Sequence, residues 1–169
     1  MVEEQPELDK FGRPYPPKYM DYHVPRTAAD AIVLKEVEGE HWLLMITRGK
    51  EPYKGRLGFP GGHIDYGEDP KTACLRELRE ECNVEGFEPE LFEVRGKPER
   101  DPRYHMISIF YLVKVDANCN AIAGDDAAHA AWYKFADLLS KSPEEFTFDH
   151  HEVVKALAQR VPELNKHLN

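Results

Sequence analysis

Cys74, Cys82 and Cys119 are the only cysteines in this chain of 169 residues. They form no CxxC pair, and so few at such spacing exclude a disulfide framework. Each reads as a small buried apolar residue in a reducing compartment. A basic surplus is missing as well: 22 Lys and Arg stand against 31 Asp and Glu, for a formal net charge of −9 and a pI near 5.4. General nucleic-acid binding, which needs a broad face of positive potential, is therefore disfavoured. An acidic chain that handles an anionic substrate does so through cations or a local basic patch. Long apolar runs are also lacking. The longest, Met106–Val115, is broken by Ser108 and Lys114 and falls far short of the roughly 20 residues that cross a bilayer, so no membrane partner is expected. Residues 1–10 are acidic and carry no apolar stretch of the signal-peptide kind, so a cytoplasmic location is expected.

What is present suits one domain with one appendage. The composition, 41% hydrophobic and 31% charged, is that of an ordinary globular chain. Residues 1–25 hold five prolines and three tyrosines and read as an extended arm, with the domain proper over residues 26–165. Residues 28–37 and 41–47 read as strands joined by a turn at Glu38-Gly39-Glu40. A loop follows at 49–62, then a helix, a short strand at 91–94 and a charged loop at 95–103. Met106–Val115 is the strongest strand, with Ile107, Ile109, Tyr111 and Val113 on one face. After a turn region at 117–126 come a strand at 130–135 and a helical turn at 137–139. Asp149 caps a last amphipathic helix whose stripe is Val153, Val154, Leu157 and Val161, and His150 and His151 are ordinary residues at its start. The pattern predicts an α/β fold: a mixed sheet covered by helices on both faces.

Residues Pro70–Cys82 carry the chemistry. Asp69 is a good N-cap, Pro70 suits the first helical position, and Asn83 tolerates the left-handed conformation that ends helices. On a helix, Cys74, Leu75, Leu78 and Cys82 share one side, and Glu77, Glu80 and Glu81 share another. Three like charges on one arc repel, and two of them oppose the negative end of the helix dipole. A helix selected for stability alone would carry lysine there. Divalent cations held against the arc would explain the arrangement, since hard cations take oxygen ligands. Taken by itself, the helix is better read as a solvated charged face. The preceding Leu57-Gly58-Phe59-Pro60-Gly61-Gly62-His63 changes the weight: its glycines let the backbone turn sharply against the helix, and a carbonyl there can serve as a further oxygen ligand. Glu68 stands where it can pair with Arg76 and hold loop to helix.

With these residues in place, the segment resembles the Nudix box. Gly62 opens it, Glu68 follows, Arg76-Glu77-Leu78-Arg79-Glu80-Glu81-Cys82 continues it and Val84 fills the closing apolar position. Asn83 departs from the family's glycine, a small cost for a residue that accepts a positive φ. The flanks Lys54-Gly55-Arg56-Leu57, Arg100-Asp101-Pro102-Arg103, Gly124-Asp125-Asp126-Ala127-Ala128 and Phe148-Asp149-His150 are similar, with less specificity, to ADP-ribose pyrophosphatase-like members of that family.

The resemblance implies an α/β/α Nudix sandwich over residues 26–165. It implies metal ligands at Glu77, Glu80, Glu81 and the Gly61 carbonyl, with Mg²⁺ or Mn²⁺ as the ion. Glu80, Glu81, Arg76 and Glu68 form the catalytic set, the last two as an orienting pair. Substrate contacts are expected from Arg48, Arg56 and Arg103, with His129 and Asp126. His129 stands where many relatives carry a glutamate, so that duty passes to Asp125, Asp126, Glu144 or Glu145, or the site works with fewer acids. The implied reaction is attack by water, in line, on one phosphorus of a nucleoside diphosphate joined to a further group. ADP-ribose is favoured, and nucleoside triphosphates, NADH, nucleotide sugars and dinucleoside polyphosphates share the linkage. A nucleotide-sensing module without catalysis is the reading from another class. A homodimer is compatible with the sequence.

Overall fold

The structure is a computed structural model and describes residues 24–116, 118–120 and 127–165. The Pro-rich arm lies outside the described residues, apart from Val24 and Pro25, and so do Asp125 and Asp126. Strand β1 (Arg26–Val37) is the axis of a seven-stranded mixed sheet. It pairs in parallel with β6 (Met106–Val115), in antiparallel with β2 (Glu40–Arg48), and near its start in antiparallel with the short β4 (Gly61–His63). Strand β3 (Leu57–Gly58) and β7 (Ala127–Lys134) pair with β2, and β5 (Gly86–Arg95) forms the far edge against β6. The β1–β2 hairpin closes on Glu38 and Gly39, both at positive φ (52° and 81°), as a two-residue primed turn requires.

Helices cover both faces, giving the expected α/β/α sandwich. Helix α1 (Pro70–Cys82) buries Ala73, Cys74, Leu78 and Cys82 against Ala29, Ala31, Val33 and Leu44. On the other face, α2 (Phe135–Ser140) and α3 (His150–Arg160) cover Ile32, Leu43, Met45 and Phe110, with Val153, Val154 and Leu157 pointing in. The central strands thus bury alternate residues on both faces, which is why they read as continuous apolar runs rather than alternating ones. In β6 this means that Phe110 joins the second core, while Tyr111 and Val113 serve the first.

Helix α1 has the expected ends. Asp69 Oδ1 accepts the Lys71 N–H at 2.9 Å. Asn83 sits at φ 52°, ψ 38°, and its N–H donates to the Arg79 carbonyl. Packing decides the helix. Burial of Leu78 alone is worth about 1.5–3 kcal/mol, whereas a like-charge pair one turn apart costs about 0.2–0.5 kcal/mol.

Some bounds differ from expectation. The loop at 49–62 contains β3 and the start of β4. Strand β5 is longer than 91–94, because an edge strand can carry the exposed Phe87, Glu88 and Glu90, with register shifts, and so lacks a clean apolar pattern. Phe135 begins α2 rather than ending β7, and Val161 caps α3. Cys74 and Cys82 are fully buried and Cys119 is half-buried, all as free thiols.

Candidate active site

Sheet pairing sets Gly61 opposite Asp30 and Gly62 opposite Ala29, and the chain then runs through 64–69 into α1. At Gly61 this approach requires glycine, since a Cβ would lie 2.6 Å from the Ala29 carbonyl oxygen; one on Gly62 would meet the Glu77 carboxylate that Arg76 holds in place. Bare backbone therefore faces the acidic side of the helix. The Gly61 N–H donates to Glu81 Oε2 at 2.9 Å, tying loop to helix directly.

Arg76 gathers the surrounding acids. Its Nε and Nη2 donate to the two oxygens of Glu68, each at 2.9 Å, in a bidentate pair. Nη1 reaches Glu77 at 2.7 Å and Glu80 at 3.1 Å, and Nη2 also meets the His63 carbonyl at 3.0 Å. The hydrogen bonds to Glu68, more than any other contact, hold the guanidinium charged. One cation thereby offsets the mutual repulsion of the acidic arc. Burial raises the pKa of the Glu77 carboxyl above the usual carboxylate range, with Arg76 opposing.

These groups border a cleft of about 370 Å³. Gly61, Glu77 and Glu81 line it, as do Arg48 from the end of β2 and Arg103 from the loop between β5 and β6. Glu68, Arg76 and Glu80 are not on its wall; they form the hydrogen-bonded buttress beside it, and the Glu80 side chain is 47% exposed. Arg56 lies over the Tyr53 ring at 5.0 Å, and the exposed His129 pairs with Thr47 in the β2–β7 register; neither lines the cleft. Asp126 lies outside the described residues. Among the acids expected to replace the one absent at His129, Glu145 is taken by a turn, bonded to the Ser142 N–H at 2.9 Å and Lys141 at 2.6 Å. Of the aromatic residues near the box, Phe59 and Trp132 belong to the cores and Tyr66 is exposed.

The cleft is also lined by Asp30 and Ser108, which carry no motif signal, and by Phe148 and His150 of the Phe148-Asp149-His150 flank. Asp30 is buried, its Oδ2 has no hydrogen-bond partner among the described residues, and burial pushes its pKa up to about 7 against the opposing charge of Arg100. A single acid inside the otherwise apolar run from Ala28 to Leu34 was the available clue. His150 is wholly enclosed. Its Nδ1 accepts the Phe59 N–H at 3.0 Å, which requires the neutral ring, and burial followed by the charge of Arg100 brings its pKa down to about 3.

These two groups work against each other with pH. The folded pKa of His150 lies below its unfolded value, so its contribution is complete above about 6.5 and is lost as pH falls toward 3. The folded pKa of Asp30 lies above its unfolded value, so its contribution is complete below 3.8 and is lost as pH rises through about 7. Their slopes offset over the shared window. The expected result is a difference between the pH–stability curves of the wild type and His150→Gln that shrinks, between pH 6.5 and 4, by up to about 1.4 kcal/mol per pH unit. Urea denaturation at several pH values measures it, and a flat difference would remove His150 from the account.

The donor set can be tested against a divalent cation. Glu77 and Glu81 sit one helical turn apart on the same cleft wall, beside backbone oxygens of a glycine loop, and the burial that penalises Glu77 is the kind a cation relieves. Among the described residues no three His, Cys, Asp or Glu side chains converge on one point. A pair of carboxylates on the cleft suits a hard cation that takes one or two of them and leaves its other positions to water and substrate oxygens.

Comparison with known proteins identifies the family. A profile described as the NUDIX domain matches residues 24–157. The ADP-ribose pyrophosphatase of Methanocaldococcus jannaschii is 32% identical over 157 residues, covering 88% of this chain and 87% of that protein. The NUDIX domain of Shewanella oneidensis NrtR, solved with ADP ribose, superposes with a TM-score of 0.76 at 24% identity, covering 87% of this chain and 94% of that one. NrtR solved with a 27mer DNA gives a TM-score of 0.63 at 22% identity, and the match covers 80% of this chain and 61% of that one. These two likenesses bear on the fold. Among the described residues no helix is long and apolar enough to cross a membrane. The matched profile over most of the domain, with the glycine loop set against Glu77 and Glu81, establishes that the chain belongs to the Nudix family and is a Nudix pyrophosphohydrolase.

Proposed function

We propose that the enzyme cleaves the pyrophosphate linkage of a nucleoside diphosphate joined to a further group, with ADP-ribose as the favoured substrate and Mg²⁺ or Mn²⁺ as cofactor. The observation that carries the reading is a single cleft lined both by Glu77 and Glu81 and by Arg48 and Arg103. The relative from Methanocaldococcus jannaschii supports the substrate.

Glu77, Glu81 and the Gly61 carbonyl would hold the cation. When bound, it neutralises charge on the pyrophosphate and lowers the pKa of water. The chain's own residues do the positioning. Arg76, fixed by Glu68, sets the rotamer of Glu77, and the Gly61 N–H sets that of Glu81. Arg48, whose Nε is anchored on the Pro52 carbonyl at 2.7 Å, and Arg103, anchored on Asp101, bring fixed positive charge to the phosphates. Water enters one phosphorus in line as the bridging oxygen leaves, so ADP-ribose and water give AMP and ribose 5-phosphate.

A panel of ADP-ribose, nucleotide sugars, NADH, dinucleoside polyphosphates and nucleoside triphosphates, with product identification in Mg²⁺ and in Mn²⁺, tests this. The expected result is the highest kcat/KM on ADP-ribose, with those two products. Preference for triphosphates would overturn the substrate assignment. No hydrolysis of any member would favour a sensing role.

A further inference from the structure

We propose that Phe148 is the specificity-determining residue of this cleft, its ring stacking on the base of the nucleotide while Arg48 and Arg103 frame it. The inference deepens the nucleotide reading above and rests on it.

Phe148 lines the cleft, is only half-buried, and belongs to neither hydrophobic core. Its φ is 47°, in the left-handed region that a bulky aromatic residue avoids. Glycine or asparagine would hold this turn with less strain, so the ring's presence calls for a reason beyond the turn itself. Pinned neighbours enforce the conformation. The Thr147 N–H donates to the Leu57 carbonyl at 2.8 Å, and the Thr147 carbonyl accepts the His150 N–H at 3.0 Å. Asp149 is held by Arg100 at 2.6 Å. A second aromatic residue at positive φ, Tyr53 (67°), meets Phe148 edge to face, with centroids 5.0 Å apart and ring planes at 74°, and fixes its tilt.

The charges around the ring are fixed by other partners. The guanidinium carbons of Arg48, Arg100 and Arg103 lie 5.6, 5.7 and 5.9 Å from the ring centroid. Each guanidinium has its own anchor: Arg48 on Pro52, Arg100 on Asp149 and Ser108, Arg103 on Asp101. These distances are close to the roughly 6 Å limit of cation–π attraction, so mutual attraction is a weak reason for the cluster. What the cluster offers is a rigid π surface with fixed positive charge over it, in the cleft that Glu77 and Glu81 also line. That matches a base with its attached phosphates. A ligand with phosphate and no base would use the arginines and leave the ring unused.

The test is titration calorimetry of the full chain with AMP and with ribose 5-phosphate at fixed Mg²⁺, for the wild type, Phe148→Ala, Phe148→Asn and Phe148→Trp. Asparagine tolerates the left-handed backbone, so that variant removes the ring even if the alanine variant folds poorly. Loss of the ring is expected to weaken AMP binding about tenfold, within the range for one base stacked on one aromatic ring. Ribose 5-phosphate affinity should stay within about twofold, and tryptophan should restore AMP binding. An unchanged AMP affinity, an equal loss for both ligands, failure of tryptophan to rescue, or no AMP binding by the wild type would each overturn the proposal. Ring-dependent AMP binding in a protein that leaves ADP-ribose uncleaved would keep the subsite and overturn the proposed reaction.

Discussion

Glu81→Gln is expected to lower kcat on ADP-ribose by about 10²- to 10⁴-fold at saturating Mg²⁺, with little change in melting temperature. The substitution is nearly isosteric. Glu81 is 8% exposed and accepts the Gly61 N–H at 2.9 Å, and a glutamine oxygen can accept the same bond, so the loop stays docked. What is lost is a negative charge on the cleft wall, replaced at one atom by an N–H donor where a cation needs an acceptor. The effect should depend on position along the helix. Glu80→Gln, at a side chain 47% exposed and bonded to Arg76, should cost far less. Steady-state kinetics on both variants, with thermal unfolding as the control for folding, decide the matter. Near-normal turnover in a folded Glu81→Gln protein would sink the assignment of Glu81, and an equal loss at Glu80 would place the reacting end of the cleft further out on the helix.

The contrast between these glutamates shows what one-dimensional spacing encodes. Arg76, Glu77 and Glu81 sit within two turns of one helix and Glu68 precedes Arg76 by only eight positions, so local geometry follows from local sequence. The Asp69 and Asn83 caps and the bidentate Arg76–Glu68 pair could all be read off before any fold was known. Asp30 could not. It meets Gly61 through the β1–β4 register, which no periodicity in either segment specifies. Arg100 and Asp149 are 49 positions apart, and Phe59 and His150 are 91 apart, so the floor of the cleft exists only after the sheet and α3 have packed. Nearness in sequence also misled: Arg56 precedes the box by six positions, yet it lies over Tyr53 and off the cleft wall. The fold class was legible because the core strands and helices are strongly patterned, and β5 was half-missed because an exposed edge needs no such pattern.

That floor should carry the largest single contribution from a polar side chain. Arg100→Ala is expected to destabilise the protein by about 3 kcal/mol at pH 7, at the lower end of the range for breaking a buried ion pair. The Arg100 side chain is 3% exposed; its Nε and Nη2 donate to Asp149 Oδ1 at 3.1 and 2.6 Å, and its Nη1 donates to Ser108 Oγ at 2.9 Å. Removing it leaves a cavity and a carboxylate with a weaker partner, Arg95 at 3.5 Å. That second cation and the 23% exposure of Asp149 keep the loss near the lower bound. The pH dependence gives an independent check. Burial acts to raise the Asp149 pKa, but the Arg100 hydrogen bond and charge outweigh it, so the folded value lies below 3.8. Such a group contributes stability above its unfolded pKa and loses it as pH falls through the folded value. The gap between wild type and Arg100→Ala should therefore be full at pH 7 and narrow below about pH 4. A double-mutant cycle with Asp149→Asn separates the pair from the cavity: a coupling near zero would mean that Arg100 acts by filling space, and that the N-terminus of α3, with Phe148 beside it, is held by its other hydrogen bonds and packing.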